Sequence, residues 1–220
     1  MHSSLKVQFP ILLALCGAIA GCASTQPVAY GGLASAPHLR PNADDKSGRV
    51  PYSYTTAVSL RDYSSIIIDP VRVYRGQDSQ FEEVSDDQKD MLAAYMQGEF
   101  ESRLRNRLRI SRDAGWKTLR LKLTLTGAKS STRFLSTVTR FDLVGGPYNI
   151  VQSIRGKEGT FTGSVSYAVE LYDASTNLLV SAYVAKQYPS PMNISASLGP
   201  MDASKAGIRN GADELLAAFN

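Results

Sequence analysis

Thr118-Leu119-Arg120-Leu121-Lys122-Leu123-Thr124-Leu125-Thr126 alternates apolar and polar residues without a fault. Successive side chains of an extended strand point to opposite faces, so the leucines share one face. Arg120, Lys122, Thr124 and Thr126 share the other. A run that is apolar on one side only fits a half-buried strand of an antiparallel sheet. Trp116, the only tryptophan of the chain, stands just before it and reads as a packing residue.

Working outward, the same period returns after a long gap. Residues from Gly159 to Asp173 alternate through Phe161, Val165, Tyr167, Val169 and Leu171. Leu178 to Gln187 follows as a partner strand, with Ala174 to Asn177 suited to the turn, so the pair predicts a hairpin. Upstream, Ser64 to Tyr74 contains Ile66-Ile67-Ile68, a β-branched run expected to be buried on both faces. Asp69-Pro70 should interrupt that strand, because proline cannot donate to a ladder.

Two helices are expected. Ser85 with Gln88 forms a capping box, and Asp86, Asp87 and Asp90 suit the positive end of a helix running to Leu108. Leu92, Met96, Phe100, Leu104 and Leu108 give it an apolar stripe, with Met91 and Tyr95 beside them. Asp202 to Phe219 reads as the second helix, with Ala206, Leu215, Leu216 and Phe219 inward. Gly207 and Gly211 weaken it, each by about 1 kcal/mol relative to alanine.

The order is strand, helix, strand, insertion, strand, strand, helix. This predicts an α+β, two-layer fold: a roughly four-stranded, mostly antiparallel sheet with two helices on one face. The insertion, residues 128 to 159, reads as a loop folded over one end of the sheet. Long insertions often carry function. Its apolar residues Phe134, Val138, Phe141 and Tyr148 are therefore the first place to seek a partner surface.

The chain opens with a charged segment ending at Lys6 and a mostly apolar run from Ile11 to Ala20. That run is too short for a bilayer span, which needs about 20 residues. Ile19-Ala20-Gly21-Cys22 follows and resembles the bacterial lipobox. This reading makes residues 1–21 a signal peptide, cleaved between Gly21 and Cys22, with Cys22 carrying the acyl chains. Two or three chains make a lasting anchor, since each buried methylene contributes about 0.8 kcal/mol. Ala23 and Ser24 stand where an aspartate would retain such a protein in the inner membrane, which favours the outer membrane. Residues 22–58 are rich in small and polar residues and read as a flexible tether. Residues 59–220 then form one globular domain.

Composition narrows the chemistry. The chain has 24 Lys and Arg against 20 Asp and Glu; losing Lys6 leaves an excess of 3, too mild to suggest nucleic acid. Cys22 would be the only cysteine after processing, so no disulfide is expected. His2 leaves with the signal and His38 lies in the tether, which removes His-based triads and multi-histidine zinc sites from the domain. Glu82, Glu83 and the helix aspartates lack the spacing of a calcium loop. No catalytic residue, cofactor or metal is expected, and no enzymatic activity.

Arg103, Arg105, Arg107, Arg109 and Arg112 suit the negative end of a helix. The sharper alternative is a site for phosphate or another envelope polyanion. Tyr148, Tyr167, Tyr172 and Tyr183 could offer ring faces to sugars, although strand tyrosines more often pack.

Taken together, the lipobox, Asp62-Tyr63, Ile66 to Val71, Leu121 to Gly127 and Val169 to Thr176 resemble the bacterial lipoproteins of domain-of-unknown-function family 3313. The order of these motifs carries the resemblance. It implies an envelope lipoprotein and transfers no activity or site. The order of elements also resembles small periplasmic domains of envelope-assembly lipoproteins, a likeness of fold alone. The expected function is a membrane-anchored, periplasm-facing binding or envelope-assembly module. The alternative is an envelope ligand binder for glycan, lipid or peptidoglycan fragments. Expected partners are the membrane, through Cys22, and an envelope protein, with no nucleic acid.

Overall fold

The computed structural model describes residues 26–130, 163–189 and 199–220. The strands are β1 (Arg40–Pro41), β2 (Tyr52–Thr55), β3 (Ser65–Ile68), β4 (Arg72–Val73), β5 (Gln80–Glu82), β6 (Arg109–Ile110), β7 (Thr118–Lys129), β8 (Ser164–Asp173) and β9 (Leu179–Gln187). The helices are α1 (Asp86–Leu104) and α2 (Asp202–Ala217). The class is α+β, as expected. The sheet is larger than four strands: nine join it, in the order β1-β2-β9-β8-β7-β3-β6, with β4 and β5 also on β7. The strands the periodicity missed are two to four residues long, too short to show a period.

The long β7 organises the sheet. On one side β8 and β9 form the expected antiparallel hairpin, with Leu121 opposite Leu171 and Val169 opposite Tyr183. On the other side β3, β4 and β5 run parallel to β7, one after another along its length. Asp69-Pro70 makes the first break between them, and the Asp69 N–H still reaches the Leu121 carbonyl at 3.0 Å. The sheet is therefore mixed rather than mostly antiparallel. The cause is α1, which carries the chain back between β5 and β6, and strands joined by such a crossover run parallel.

Both helices serve one core, the face of the sheet that holds Leu119, Leu121, Leu123, Leu125, Tyr167 and Val169. From α1 come Leu92, Met96, Phe100 and Leu104, and from α2 come Ile208, Ala212 and Leu215. The capping box at Ser85 and Gln88 is formed in both directions. Helix α1 stops at Leu104, short of the expected end, although Leu108 remains buried. Met91 faces out instead of flanking the stripe. Leu216 is only partly buried. Glycines 207 and 211 are buried where α2 lies close against β8 and β9.

The stretch read as a tether is corrected by the fold from Tyr30 onward. Tyr30, Leu33 and Leu39 are buried against Ala168, Ala182 and Val184 on the sheet face away from the helices. Strands β1 and β2 then extend the sheet beside β9. The physical reason is complementarity. This face presents small side chains, so a few large ones in a polar segment suffice to cover it. Thr124 and Thr126 are consequently buried, although the alternation assigned them to solvent. The backbone N–H of Ser35 donates to the buried Glu170 carboxylate at 2.7 Å, which ties this layer to the sheet.

Candidate functional site

β6 is the outermost strand beside β3, with Arg109 opposite Ser65 and Ile110 opposite Ile66. Residues 111–117 then turn the chain into β7. Backbone bonds hold the turn, most of them to the segment of β3. Ser111 N–H donates to the Ile66 carbonyl at 2.8 Å, and Thr118 N–H to the Gly115 carbonyl at 3.2 Å. The Lys117 carbonyl accepts from both Ser64 N–H at 3.0 Å and Ser65 N–H at 3.2 Å. Lys117 adopts a left-handed φ of 55°, a conformation that costs energy for a residue with a Cβ and persists where surrounding bonds impose it.

This geometry aims Trp116 outward. Its side chain is 83% exposed, the most exposed large apolar residue among the described ones, which corrects its reading as a packing residue. Lys117 Nζ sits 4.5 Å from the centre of the indole. Beside it lies an open groove of about 620 Å³ lined by Arg109, Arg112, Asp113 and Trp116.

Further cations gather where β3, β6 and β7 begin. Arg107 Nη2 donates to the Arg61 carbonyl at 3.5 Å, and Arg109 donates to Ser65 Oγ at 3.3 Å through Nε and Nη2. Among the described residues, Arg61, Arg107, Arg109, Arg112 and Lys117 have no carboxylate within ion-pair distance. Elsewhere such pairing is common: Arg103 meets Asp213 at 2.6 Å, Arg120 meets Asp69 at 2.8 Å, and Lys129 meets Glu82 at 3.0 Å. The nearby Asp173 carboxylate is occupied by the Ser175 and Thr176 hydroxyls and backbone, and by the Tyr63 hydroxyl. Unpaired guanidinium groups beside an exposed ring make a surface that attracts anions.

The structure separates the two arginines singled out by sequence. Arg105 stands at the end of α1, exposed and paired with Glu101 one turn back. Arg109 lies in β6 and belongs to the basic groove. Gly21, Cys22, Phe134, Val138, Phe141 and Tyr148 lie outside the described residues. Tyr167 and Tyr172 are buried and offer no open ring face, and Tyr183 packs against the core, so these three are not sugar platforms. The contribution of Trp116, Lys117 and Arg61 was missed by sequence. Asp113-Ala114-Gly115, a turn-forming run just ahead of the tryptophan, was the available signal.

Arg49 Nη1 donates to Gln187 Oε1 at 3.1 Å, and Gln187 Nε2 donates to Glu214 Oε2 at 2.6 Å. Burial pushes the Glu214 carboxyl up, opposed by Arg49 and Gln187. Asp45 adds its charge to the upward shift, and its own oxygens accept from the Ser47 hydroxyl and N–H and from the Val50 N–H. Among the described residues, no three His, Cys, Asp or Glu side chains come together to hold a metal ion. Among them also, no helix is long and apolar enough to cross a membrane.

A family model described as "Protein of unknown function (DUF3313)" matches residues 29–215. No curated protein matches the chain. Several solved structures resemble the chain at low identity and low TM-score. The PelC dodecamer from Paraburkholderia phytofirmans is 12% identical, covering 71% of this chain and 91% of its own at a TM-score of 0.38. Protein XCC0632 from Xanthomonas campestris is 11% identical, covering 74% and 90%, at 0.36. A DUF4136 family protein from Bacteroides thetaiotaomicron is 12% identical, covering 77% and 96%, at 0.36. At this level of likeness nothing about function passes from them to this chain.

Proposed function

This chain belongs to the DUF3313 family of proteins of unknown function, and from that premise we propose a membrane-anchored, non-enzymatic binding or assembly module of the bacterial envelope. In this reading residues 1–21 are removed, Cys22 carries the acyl chains, and the folded body faces the periplasm from the outer membrane. The reading is supported by the sequence Ile19-Ala20-Gly21-Cys22. The observation that carries the binding role is the basic end. Arg61, Arg107, Arg109, Arg112 and Lys117 lack acidic partners among the described residues; Arg109 and Arg112 line one groove with the exposed Trp116, and Lys117 lies over its ring. Cations left unpaired on a surface are available to an anionic ligand or partner.

Two variants test the two halves of the proposal. Cys22→Ser should move the protein from the membrane fraction to the soluble periplasm without altering its circular dichroism. Retention of Cys22→Ser on membranes washed with high salt would overturn the anchor. Arg109→Ala combined with Arg112→Ala should reduce the recovery of crosslinked envelope components by the otherwise native chain. Unchanged recovery would remove the basic end from the binding role.

A further inference from the structure

The two ends of the sheet differ in charge and in distance from the anchor. The first described residue, Gln26, accepts at its carbonyl from Gln80 Nε2 at 2.8 Å. Gln80 pairs with Gly127, near the last residues of β7. Trp116 and its cations lie before Thr118, the first residue of β7. Thr118 and Gly127 stand nine residues apart on one strand, and at ~3.3 Å per residue that is about 30 Å. Cys22 is four residues before Gln26. A chain of that length spans at most ~14 Å in any conformation. The acyl chains therefore hold the end of the body near Gln80, and they cannot reach around to the end near Trp116.

The near end holds acids, of which Glu82 pairs with Lys129 and Asp86 with Lys89. Asp78 accepts from Gly31 N–H at 3.1 Å, and Glu82 and the first-turn residues Asp86 and Asp87 of α1 follow it in the chain. The far end carries Arg61, Arg107, Arg109, Arg112 and Lys117, which have no acidic partner among the described residues. Charges about 30 Å from a lipid surface feel little of its potential, because the Debye length is ~8 Å in physiological salt.

We infer that the Trp116 end is the membrane-distal tip of the anchored protein, and that it binds a carboxylate-bearing glycan of the cell-wall layer rather than the headgroups of its own membrane. The inference rests on the anchor proposed above. The chemistry of the tip fits this ligand. The indole offers an apolar ring face to a sugar, while Arg109, Arg112 and Lys117 around it match carboxylates.

Because Trp116 is the only tryptophan in the chain, its fluorescence reports on this tip alone. The lipidated full-length protein would be placed in vesicles of phosphatidylethanolamine and phosphatidylglycerol doped with a brominated phosphatidylcholine. Mass analysis of Cys22 is made on the same sample. Lipid on Cys22 with Trp116 emission unquenched is the expected result. Addition of soluble peptidoglycan strands should then shift the emission, and Arg112→Ala with Lys117→Ala should weaken that response at least tenfold. An unmodified Cys22 overturns the anchor and the inference together. A lipidated Cys22 with Trp116 quenched by the bromolipid overturns the inference alone. Lack of response to peptidoglycan, with capture of an acidic protein through the same residues, overturns the assignment of ligand.

Discussion

Asp173 closes the β8–β9 hairpin with a single carboxylate. Its Oδ1 accepts from the Ser175 and Thr176 backbone N–H groups at 3.0 and 2.9 Å, and from the Ser175 hydroxyl at 2.6 Å. Its Oδ2 accepts from the Tyr63 hydroxyl at 3.0 Å, which pins the hairpin to the segment entering β3. The Ser175 hydroxyl is the largest cause holding this carboxyl down at about 2, with partial burial opposing. The linkage sign follows. A depressed acid contributes stability above its unfolded pKa of about 3.9, and that contribution is lost as pH falls through the folded value. Asp173→Ala should cost about 1 to 3 kcal/mol at neutral pH. The difference from the native chain should narrow in urea titrations repeated at pH ~3. A gap that stays constant between the two pH values would contradict the ionised-carboxylate account. Asn177 completes the turn in the left-handed region at φ 57°, as its residue type led one to expect.

At the scale of the element, α2 shows why composition misjudges a helix. Two glycines in its interior look like a loss of about 1 kcal/mol each. In the fold they are contact points. A Cβ on Gly207 would meet Gln187 Cβ and Val165 Cγ1 at 2.8 Å, and a Cβ on Gly211 would sit on the Tyr167 hydroxyl. The Tyr167 ring also packs edge-on against Phe100 of α1, so this one side chain joins both helices to the sheet. Its hydroxyl has no hydrogen-bond partner among the described residues, and burial pushes its pKa well above the ordinary value. Gly211→Ala should therefore destabilise by about 1 to 3 kcal/mol through overpacking, despite the gain in helix propensity. Tyr167→Phe removes an unpaired buried hydroxyl and should be neutral or stabilising. The double variant should recover most of the loss, and thermal unfolding of the four chains measures the coupling. Additive effects would mean that the hydroxyl is not what α2 presses against.

For the whole molecule, the layer that matters most to interpretation is the N-terminal segment. Tyr30 is 1% exposed, donates from its hydroxyl to Gln80 Oε1 at 2.9 Å, and packs edge-on against Tyr74 at 5.4 Å. Burial raises its pKa to about 12. Tyr30→Ala should cost about 3 to 5 kcal/mol, the range for emptying a large aromatic site. A polar substitution at exposed Val28 should cost little. Urea unfolding followed by circular dichroism separates the two, and equal, small effects would restore the flexible-tether reading.

Much of the fold was legible in local pattern. The leucine alternation of β7, the four-residue stripe and capping box of α1, and the Asp173–Asn177 turn each depend on residues close in sequence, and each is present in the structure. Local pattern also carried Arg109 as a candidate, though for the wrong reason, since it lies in a strand beyond the helix rather than at the helix end. What required the tertiary structure was whatever depends on residues distant in the chain. Tyr30, Leu33 and Leu39 acquire a role only against Ala168, Ala182 and Val184. Gly211 is explained only by Tyr167. Arg109 and Arg112 share a groove with Trp116 in a fold where β6 aligns beside β3 and β3 beside β7. Short-range period reflects the geometry of a single element. Coverage of a second face, close helix packing and the absence of an acidic partner are properties of the assembled chain, and no window of sequence contains them.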